Sequence, residues 1–460
     1  MKEAHVFRFT AGERVLGTEP ESGAEREMHY YVNDDAVAKL LGSTLDPLAA
    51  DLVDLAAAVH IADRLAVREK ATLDNWRRRF VVDVPVRCLS EWRRNKVEQS
   101  LCELLGFITG DGWDIRFCSR PVRPRFSERQ SPLFPIEKSE PTRVNLFSGG
   151  LDSFAGNAAA LVQNPEVHYV CVSASPNRRQ EHGQVAQVRA LRAISNRSLT
   201  HVRIPSWIES ATEVPQESTR RTRGFLFLAL GAVSALSIGV NQLFLYENGV
   251  GAINLPYERT PVGVPNSRSV HPTALILTSR FIQALMGREF RIENPCVFKT
   301  KSEMCSEPIV RAMATHIGST FSCDGFPVQR SGNPQCGLCT SCILRRLALE
   351  NSGLHKHDTN GYACDLYEMG QQIRSRRLKG LAAMDWQVER FRQALSANAG
   401  WPALMSEFPE LREACAALVV LTGSSNAVIQ EQLENLYRRH CDEWRNFPPR
   451  DWLAPQRKAA

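Results

Sequence analysis

Short apolar runs alternate with longer amphipathic segments along the middle of the chain. Five of the runs have the length of strands, and the segments between them have the length of helices. The predicted strands are Val144–Phe147, His168–Ser173, His201–Ile204, Leu243–Glu247 and Arg291–Asn294. Strands that alternate with helices are typical of a parallel, doubly wound α/β sheet, which binds ligands at the carboxyl ends of its strands.

The first 140 residues follow a mixed pattern. A strand-like alternation at the start precedes an apolar helix from Pro47 to Arg68, for which Asp46 is a suitable N-cap and proline a suitable first residue. Strands at Phe80–Val86 and Asp114–Phe117, with a helix at Lys96–Leu105 between them, complete the pattern. We predict a small α+β domain.

The remaining segments set the domain boundaries. The stretch from Arg120 to Pro141 is rich in proline and arginine and is predicted to be a linker. From Asp365 onward, apolar positions recur at helical spacing. We therefore predict three units: an N-terminal α+β accessory domain (1–140), a central α/β domain (141–355) and a C-terminal helical extension (356–460).

Composition limits the classes of partner. A chain of 460 residues with 43% hydrophobic content can form sizeable cores. Its net charge of +6 does not by itself indicate a nucleic-acid partner, which we do not expect. Basic clusters at 77–79, 92–96 and 120–125 could contact RNA or an acidic partner, but a solvated face is the simpler interpretation.

Cysteine usage and hydropathy indicate a compartment. The 13 cysteines are an odd number and mostly scattered, which fits a reducing environment. The first residues lack the apolar core of a signal peptide. The longest uncharged run, 224–240, is shorter than the roughly 18 residues of a membrane span, and we predict a buried helix there. We expect a cytoplasmic protein with no membrane contact.

The segment 144–153, VNLFSGGLDS, predicts a phosphate-binding loop. Its apolar residues end a strand, Gly149 and Gly150 allow the backbone to turn successive amides inward, and a helix opens at Asp152. Ser148 and Ser153 add hydroxyl groups on either side. No lysine follows as in a Walker loop, so a different phosphate loop is indicated. A strand, turn and helix without a ligand is the alternative.

Four cysteines predict a metal site. Cys323, Cys336, Cys339 and Cys342 lie within twenty residues, and two-residue spacings let neighbouring thiolates converge on one tetrahedral ion. A structural zinc site is indicated. An iron–sulfur cluster shares part of the spacing but expects its fourth cysteine later and before a proline, where this chain has Arg346. Uncoordinated thiols are the remaining alternative.

The loop resembles the SGGxDS signature of the PP-loop ATP pyrophosphatases, which cleave ATP between the α and β phosphates. Loop and cysteines together resemble the QueC-like 7-cyano-7-deazaguanine synthases, whose PP-loop domain ends in a zinc knuckle of the form S-C…C-G-x-C-x-x-C-x-x-R. The resemblance covers about residues 141–355, with the knuckle at 323–346. It implies an ATP-dependent carbon–nitrogen ligase or synthase that uses ATP, Mg²⁺ and Zn²⁺.

The resemblance also implies roles for individual residues. Asp152, Ser153, Arg223 and Lys301 would be catalytic, and Asp152 would hold Mg²⁺ or a loop amide, or cap the helix. The basic residues could instead solvate a helix start or the surface. The implied ATP-binding set is Ser148, Gly149, Gly150, Leu151, Asp152, Ser153, Arg221, Arg223, Lys299 and Lys301.

The chain departs from the housekeeping members of that family on the acceptor side. A tyrosine-proline-aspartate-cysteine-arginine stretch follows their fourth strand, whereas segments 247–256 and 266–273 stand in its place here. We predict that Glu247, Asn248, Arg268 and His271 contact the substrate. Glu247 and Asn248 suit a guanine-like edge, and His271 is a candidate general base or a structural histidine.

The additional N- and C-terminal residues resemble the enlarged QueC-like proteins of bacterial anti-phage systems, the type IV CBASS and Qat operons. That resemblance implies activation of a deazaguanine acid and its joining, as an amide, to the N-terminus of an operon-encoded partner protein. Three alternatives stay open: nitrile synthesis from ammonia, tRNA modification by a PP-loop enzyme, and a non-catalytic nucleotide-binding assembly factor. The oligomeric state is also open, with a homodimer as one option.

Overall fold

The architecture is a long mixed sheet covered by helices on both faces. The computed structural model describes residues 4–10, 14–18, 25–68, 77–120, 126–129, 131, 141–195, 199–209, 216–217, 219–257, 268–325, 335–367, 378–396 and 400–449. Within these residues the strands are β1 His5–Thr10, β2 Arg14–Thr18, β3 Glu25–Val32, β4 Arg79–Val86, β5 Gly112–Ser119, β6 Thr142–Leu146, β7 His168–Ser175, β8 Leu199–Glu209, β9 Gln242–Phe244 and β10 Arg291–Glu293.

Five parallel strands form the central part of the sheet, in the order β10-β9-β6-β7-β8. β6 lies in the middle: the chain goes from β6 to β7 and β8 on one side and returns to β9 and β10 on the other. Such a reversal of strand order opens a crevice at the carboxyl end of the central strand. The predicted doubly wound parallel sheet is confirmed.

The N-terminal strands extend this sheet. β3 pairs antiparallel with the end of β8, with Tyr31 opposite Trp207, and β2, β1, β4 and β5 follow. One ten-stranded sheet therefore includes strands from both sides of residue 140. Most of the predicted linker at 120–141, including the basic residues 121–125, lies outside the described residues.

Helices cover the two faces of the sheet. In chain order they are α1 Asp35–Leu41, α2 Pro47–Leu65, α3 Leu89–Trp92, α4 Asn95–Thr109, α5 Phe126–Arg129, α6 Leu151–Gln163, α7 Arg178–Ile194, α8 Arg223–Ser237, α9 Gly249–Ile253, α10 Pro272–Met286, α11 Lys301–Ser306, α12 Pro308–Ala312, α13 Thr340–Asn351, α14 Lys379–Ser396, α15 Gly400–Glu407, α16 Leu411–Thr422 and α17 Asn426–Arg445. None of the described helices is long and apolar enough to cross a membrane.

α2 joins the N-terminal strands to the central sheet. Its start is fixed as expected, because Asp46 accepts hydrogen bonds from the amides of Leu48 and Ala49. Nearly all of its side chains are buried, since it packs against α8 on one side and the N-terminal strands on the other. The apolar run predicted as a buried helix is α8, so both segments contribute to one continuous core.

Buried ion pairs hold the N-terminal region together. Arg78 lies between Asp63 and Asp111, with nitrogen–oxygen distances of 2.5 and 2.7 Å. Arg120 pairs with Asp54. The basic clusters that we expected to be solvated therefore contribute at least these two side chains to the interior, where paired carboxylates compensate their charge.

The C-terminal helices form a separate core over one end of the central domain. α14 to α17 pack around Phe391, Leu433 and Tyr437 and cover Ile253 and Leu255 in the segment after β9. Gln387 of α14 donates to the carbonyls of Leu255 and Pro256 at 2.9 and 3.0 Å. The predicted C-terminal helices are confirmed, and they contact the segment after β9, which we expect to lie on the acceptor side.

Candidate active site

The glycine turn after β6 has the geometry of an anion-binding loop. Gly149 has φ +80°, a left-handed conformation that favours glycine, and Gly150 is the N-cap of α6. The amide of Gly150 donates to Oγ of Ser148, and the amide of Ser148 donates to Oγ of Ser153, each at 3.2 Å. The hydroxyls thus organise the turn while the first turn of α6 points its amides outward.

Three glutamines of α7 fix the loop from outside. Gln180 and Gln184 donate to the carbonyl of Ser148 at 3.2 and 3.0 Å. Gln187 donates to the carbonyls of Gly149 and Ser319, at 3.1 and 2.7 Å. These contacts satisfy the carbonyls and leave the opposite, amide side of the loop facing the ligand. The sequence interpretation did not find these residues, although their i, i+4 and i+7 spacing after the loop is a usable signal.

A polar cavity of about 260 Å³ opens in front of the loop. Arg223 at the start of α8, Glu247 after β9 and Lys301 at the start of α11 line it together. The structure therefore brings together residues from three parts of the chain that were selected from the sequence. The loop residues that line the cavity are Ser148, Gly150, Leu151, Asp152 and Ser153.

Asp152 and Lys301 form a buried ion pair at the base of the cavity. The Lys301 ammonium lies 2.8 Å from Oδ2 of Asp152, and both side chains are less than a tenth exposed. Asn248 donates to the same oxygen at 3.1 Å and to Oε1 of Glu247 at 2.8 Å. Asp152 thus holds a lysine and an amide side chain, rather than the loop amide that the sequence interpretation offered, because the serine hydroxyls already take the loop amides.

The pKa values of Asp152 and Glu247 shift in opposite directions. Burial, reinforced by the negative charge of Asp152, raises the pKa of Glu247 well above its ordinary value. Burial also opposes the charge on Asp152, but the charge of Lys301 together with hydrogen bonds from Lys301, Glu247 and Asn248 lowers the pKa of Asp152. The raised pKa favours the protonated form of Glu247, and the lowered pKa favours the ionised form of Asp152.

Four predicted contact residues lie elsewhere. Arg221 points away from the cavity and donates to the carbonyl of Thr109 at 3.0 Å, because burial beside the N-terminal carboxylates offers it partners there. Lys299 pairs with Glu307 at 2.6 Å on the surface. The guanidinium of Arg268 stacks over Phe107, 5.5 Å from the ring centroid. The prediction that these side chains surround the ligand is corrected.

His271 is the fourth predicted contact residue that lies outside the cavity. It is the N-cap of α10, where Nδ1 accepts from the amide of Thr273 at 3.2 Å, and its ring lies 5.4 Å from that of Phe107. Burial lowers the pKa of His271 to about 3, so the ring is neutral at physiological pH. The structural alternative for this histidine is the correct one, and it does not line the cavity.

We expect His271→Ala to lower the free energy of unfolding by about 1 kcal/mol through loss of the helix cap, without changing ATP turnover. His271→Asn keeps a cap acceptor and serves as the matched control, with stability near that of the parent chain. Chemical denaturation and a pyrophosphate-release assay measure the two quantities. A large loss of turnover in both variants would return His271 to the catalytic set.

The four cysteines form one compact cluster. Their Sγ atoms all lie within 4.8 Å of one another, and those of Cys336 and Cys342 are 3.9 Å apart. Bonds of about 2.3 Å to a tetrahedral Zn²⁺ place sulfurs about 3.8 Å apart. Backbone amides of Cys336, Cys339 and Cys342 donate to cluster sulfurs, as expected for thiolates. The residues present fit a closed, structural zinc site.

The cysteine cluster and the cavity are neighbours. Cys323 lines the cavity together with Phe321, Ser322, Asp324 and Ser341. The amide of Phe321 donates to the carbonyl of Gly149 at 3.2 Å, so the knuckle holds the phosphate loop directly. Apart from the cysteine, none of these residues was selected from the sequence; their position beside Cys323 and Cys342 is the available signal.

Comparison with known proteins agrees with this geometry. Residues 142–353 match the family model described as "Queuosine biosynthesis protein QueC". The chain is 26% identical over 229 residues to the 7-cyano-7-deazaguanine synthase of Synechococcus sp. (strain CC9902), a match that covers 46% of this chain and 94% of the relative.

Two further relatives show the same coverage pattern. The 7-cyano-7-deazaguanine synthase of Cellvibrio japonicus (strain Ueda107) is 27% identical, over 46% of this chain and 94% of the relative. The 7-cyano-7-deazaguanine synthase of Thermoplasma acidophilum is 27% identical, over 46% of this chain and 88% of the relative. Residues 142–353 are thus a QueC-like, ATP-dependent synthase domain of the PP-loop type, within a chain about twice as long as these relatives.

Proposed function

We propose that this enzyme uses ATP to adenylate a 7-deazaguanine carboxylic acid and then joins the acid, as an amide, to the N-terminus of a partner protein. The observation that carries the first step is the convergence of the glycine turn, the start of α6, Arg223 and Lys301 on one cavity. The relatives, named as 7-cyano-7-deazaguanine synthases, support the substrate class.

The first step needs stabilisation of a leaving pyrophosphate. A carboxylate oxygen of the acid attacks the α-phosphorus, and the bond to the β-phosphate oxygen breaks. The amides at the start of α6 and the cations of Arg223 and Lys301 face the charge that develops on the leaving group. Because Lys301 is held by its ion pair with Asp152 and the loop by the hydrogen bonds described above, these groups need little reorganisation at the moment of reaction.

Carboxylates in the cavity fit an accompanying Mg²⁺. Asp152, Glu247 and Asp324 all line it, and carboxylate and phosphate oxygens are the ligands that Mg²⁺ prefers. The ion would supply charge neutralisation on the phosphates. Lys301 already compensates Asp152, so Asp324 is the carboxylate more readily available to it.

Glu247 suits a guanine-like ring. A protonated carboxyl group donates one hydrogen bond and accepts another, which complements the neighbouring oxygen acceptor and N–H donor of such a ring. Asn248 holds this carboxyl in place from the buried side. The support for a deazaguanine acid is therefore chemical complementarity at the β9 side of the crevice.

In the second step, an amine nitrogen attacks the acyl carbon, AMP leaves and the nitrogen loses a proton. The extra regions at both ends of the chain support the proposal that this amine is the N-terminus of a partner protein. The N-terminal region contacts the residue before Arg223, since Thr222 donates to Asp63. α17 contacts α11, the helix that begins at Lys301, through Arg439 and Glu303, 2.9 Å apart. Partner recognition needs surface of this kind, on the order of 800 Å² from each side. We propose on this basis that the enzyme acts with the anti-phage QueC-like proteins.

The expected reaction releases AMP and pyrophosphate and adds a deazaguanine-sized mass to the partner's N-terminus. Intact mass spectrometry of an operon-encoded partner, co-expressed with and without the enzyme, measures the modification. Asp152→Asn is expected to remove it, because that change takes the charged partner from Lys301 in the phosphate cavity. Formation of ADP and phosphate would contradict the PP-loop chemistry.

Synthesis of a free nitrile from ammonia is the second candidate. This candidate is supported by the match to 94% of the length of a protein named 7-cyano-7-deazaguanine synthase. An unmodified partner together with a free nitrile in the same reaction would select this activity over ligation.

A further inference from the structure

A second cavity, of about 250 Å³, adjoins the phosphate cavity. Arg223 and Phe227 of α8 line both of them and form the boundary between the two. The second cavity has a different character, since Val32, Ala57 and Ile61 give it largely apolar walls. Together, the two volumes fall within the ~300–1,000 Å³ typical of sites for small organic ligands and cofactors.

The N-terminal region builds one side of this second cavity. Tyr31 of β3 and His60 of α2 face Asn177, after β7, and Trp207 near the end of β8. The antiparallel pairing of β3 with β8 places Tyr31 directly opposite Trp207, and the two rings stack with centroids 4.3 Å apart. Both rings are partly exposed, at 37% and 36%, and both line the cavity.

The polar groups of the second cavity are positive or neutral. Arg64, Arg220 and Arg223 line it, and no carboxylate does among the described residues. His60 is neutral, because burial lowers its pKa to about 3, and its Nδ1 lies 3.1 Å from Oγ1 of Thr222. Apolar walls, stacked aromatic rings and arginines next to a phosphate site suit a planar base attached to a phosphate.

We propose that this second cavity binds the adenosine end of ATP, so that the N-terminal region forms one wall of the nucleotide site. The inference rests on the proposed ATP-cleaving function. The two cavities adjoin at Arg223 and Phe227, so a nucleotide whose outer phosphates lie at the glycine turn would place its base in the second cavity. The path follows the carboxyl ends of β6, β7 and β8, where parallel sheets bind ligands.

The topology separates this base from the acid. Glu247 follows β9, on the opposite side of β6 from β7 and β8, and does not line the second cavity. The carboxyl group that complements a guanine-like ring and the aromatic pair that stacks on a base are therefore at opposite ends of the crevice. The α-phosphate lies between the two, where the acid must attack it.

The test is Trp207→Ala, with Tyr31→Ala as a second variant. Each is expected to raise the KM for ATP and the inhibition constant of AMP about tenfold, since stacking a base on an aromatic ring contributes on that scale. The inhibition constant of pyrophosphate and the KM for the acid should stay within about twofold of the parent values. Tyr367→Ala is the matched control: this ring is 44% exposed and stacks on Arg346, outside both cavities.

Two results would overturn the assignment. One is an unchanged AMP inhibition constant in both variants, with folding verified by thermal melting. The other is a raised KM for the acid with normal AMP inhibition, which would put the acid in this cavity. Calorimetric titration of AMP into the parent chain and Trp207→Ala tests the site independently of turnover. If the parent chain binds AMP but releases none from ATP, the proposed function fails while the adenosine site stands.

Discussion

Replacing Lys301 with methionine is expected to lower AMP-forming turnover by about 100- to 1,000-fold. The ammonium lines the phosphate cavity at the start of α11, where it faces the charge of the leaving pyrophosphate. Removal of one preorganised group that stabilises developing charge has an effect of about this size. A pyrophosphate-release assay at saturating ATP measures it.

The same change is expected to destabilise the fold by about 3–5 kcal/mol. Methionine fills a similar volume, but it leaves the buried Asp152 carboxylate without its cation. The loss should shrink as the pH is lowered, because Asp152 in the variant takes up a proton and then needs no cation. Chemical denaturation at several pH values measures this dependence.

Lys299→Met is the matched control for both effects. Lys299 lies two residues earlier, is 39% exposed at its side chain and pairs with Glu307 on the surface, outside the cavity. We expect turnover near that of the parent chain and a stability change of less than about 1 kcal/mol. Equal losses of turnover in the two variants would contradict the assignment of Lys301 to the phosphate site.

The phosphate loop and the cysteine cluster could be predicted because each is encoded locally. The glycine turn between a strand and a helix is contained in residues 144–153. The two-residue spacings of Cys336, Cys339 and Cys342 bring three thiols close together. Local motifs of this kind can be recognised from a short stretch of sequence, although the contacts from α7 and Phe321 that hold the loop could not.

The residues that were misplaced depend on long-range packing. Arg221 and Arg223 are two positions apart at the start of α8, and only the second reaches the cavity, because the first finds partners in the N-terminal region. The sequence around residue 221 does not reveal that Thr109 is its neighbour. Likewise, the phosphate-loop motif gave no reason to expect that α2 lines a cavity next to the loop. The position of α2 there requires the pairing of β3 with β8.

The capping residues illustrate a competition that the sequence leaves open. His271 and Asn248 are both polar residues just before a short or apolar helix, and both serve as N-caps. Asn248 still contacts the site, because its side-chain amide reaches Asp152 while its oxygen accepts from the helix. His271 does not, because its ring lies against Phe107 and neither residue lines the cavity. Cap chemistry alone therefore could not separate a site residue from a structural one.

Cys339→Ser is expected to release the metal and to disorder the knuckle. The parent chain should be colourless and carry one Zn²⁺, since four thiolates within 4.8 Å form a closed tetrahedral set. Binding to a structural zinc site contributes about 10–16 kcal/mol to local folding, so loss of one ligand should expose the segment from Cys323 to Arg346 to hydrogen exchange. Cys118→Ser, at an exposed cysteine outside the cluster, is the matched control and should retain the metal.

Metal loss should also reach the phosphate loop. The amide of Phe321 and the side chain of Gln187 connect residues 319–321 to the carbonyl of Gly149, and Cys323 itself lines the cavity. We therefore expect Cys339→Ser to raise the KM for ATP together with the loss of zinc, whereas Cys118→Ser changes neither. Metal analysis, visible absorption and ATP kinetics on the same preparations measure the coupling. A brown protein that contains iron would show that the four cysteines bind an iron–sulfur cluster and not zinc. Normal ATP kinetics in metal-free Cys339→Ser would show that the phosphate loop keeps its position without the knuckle.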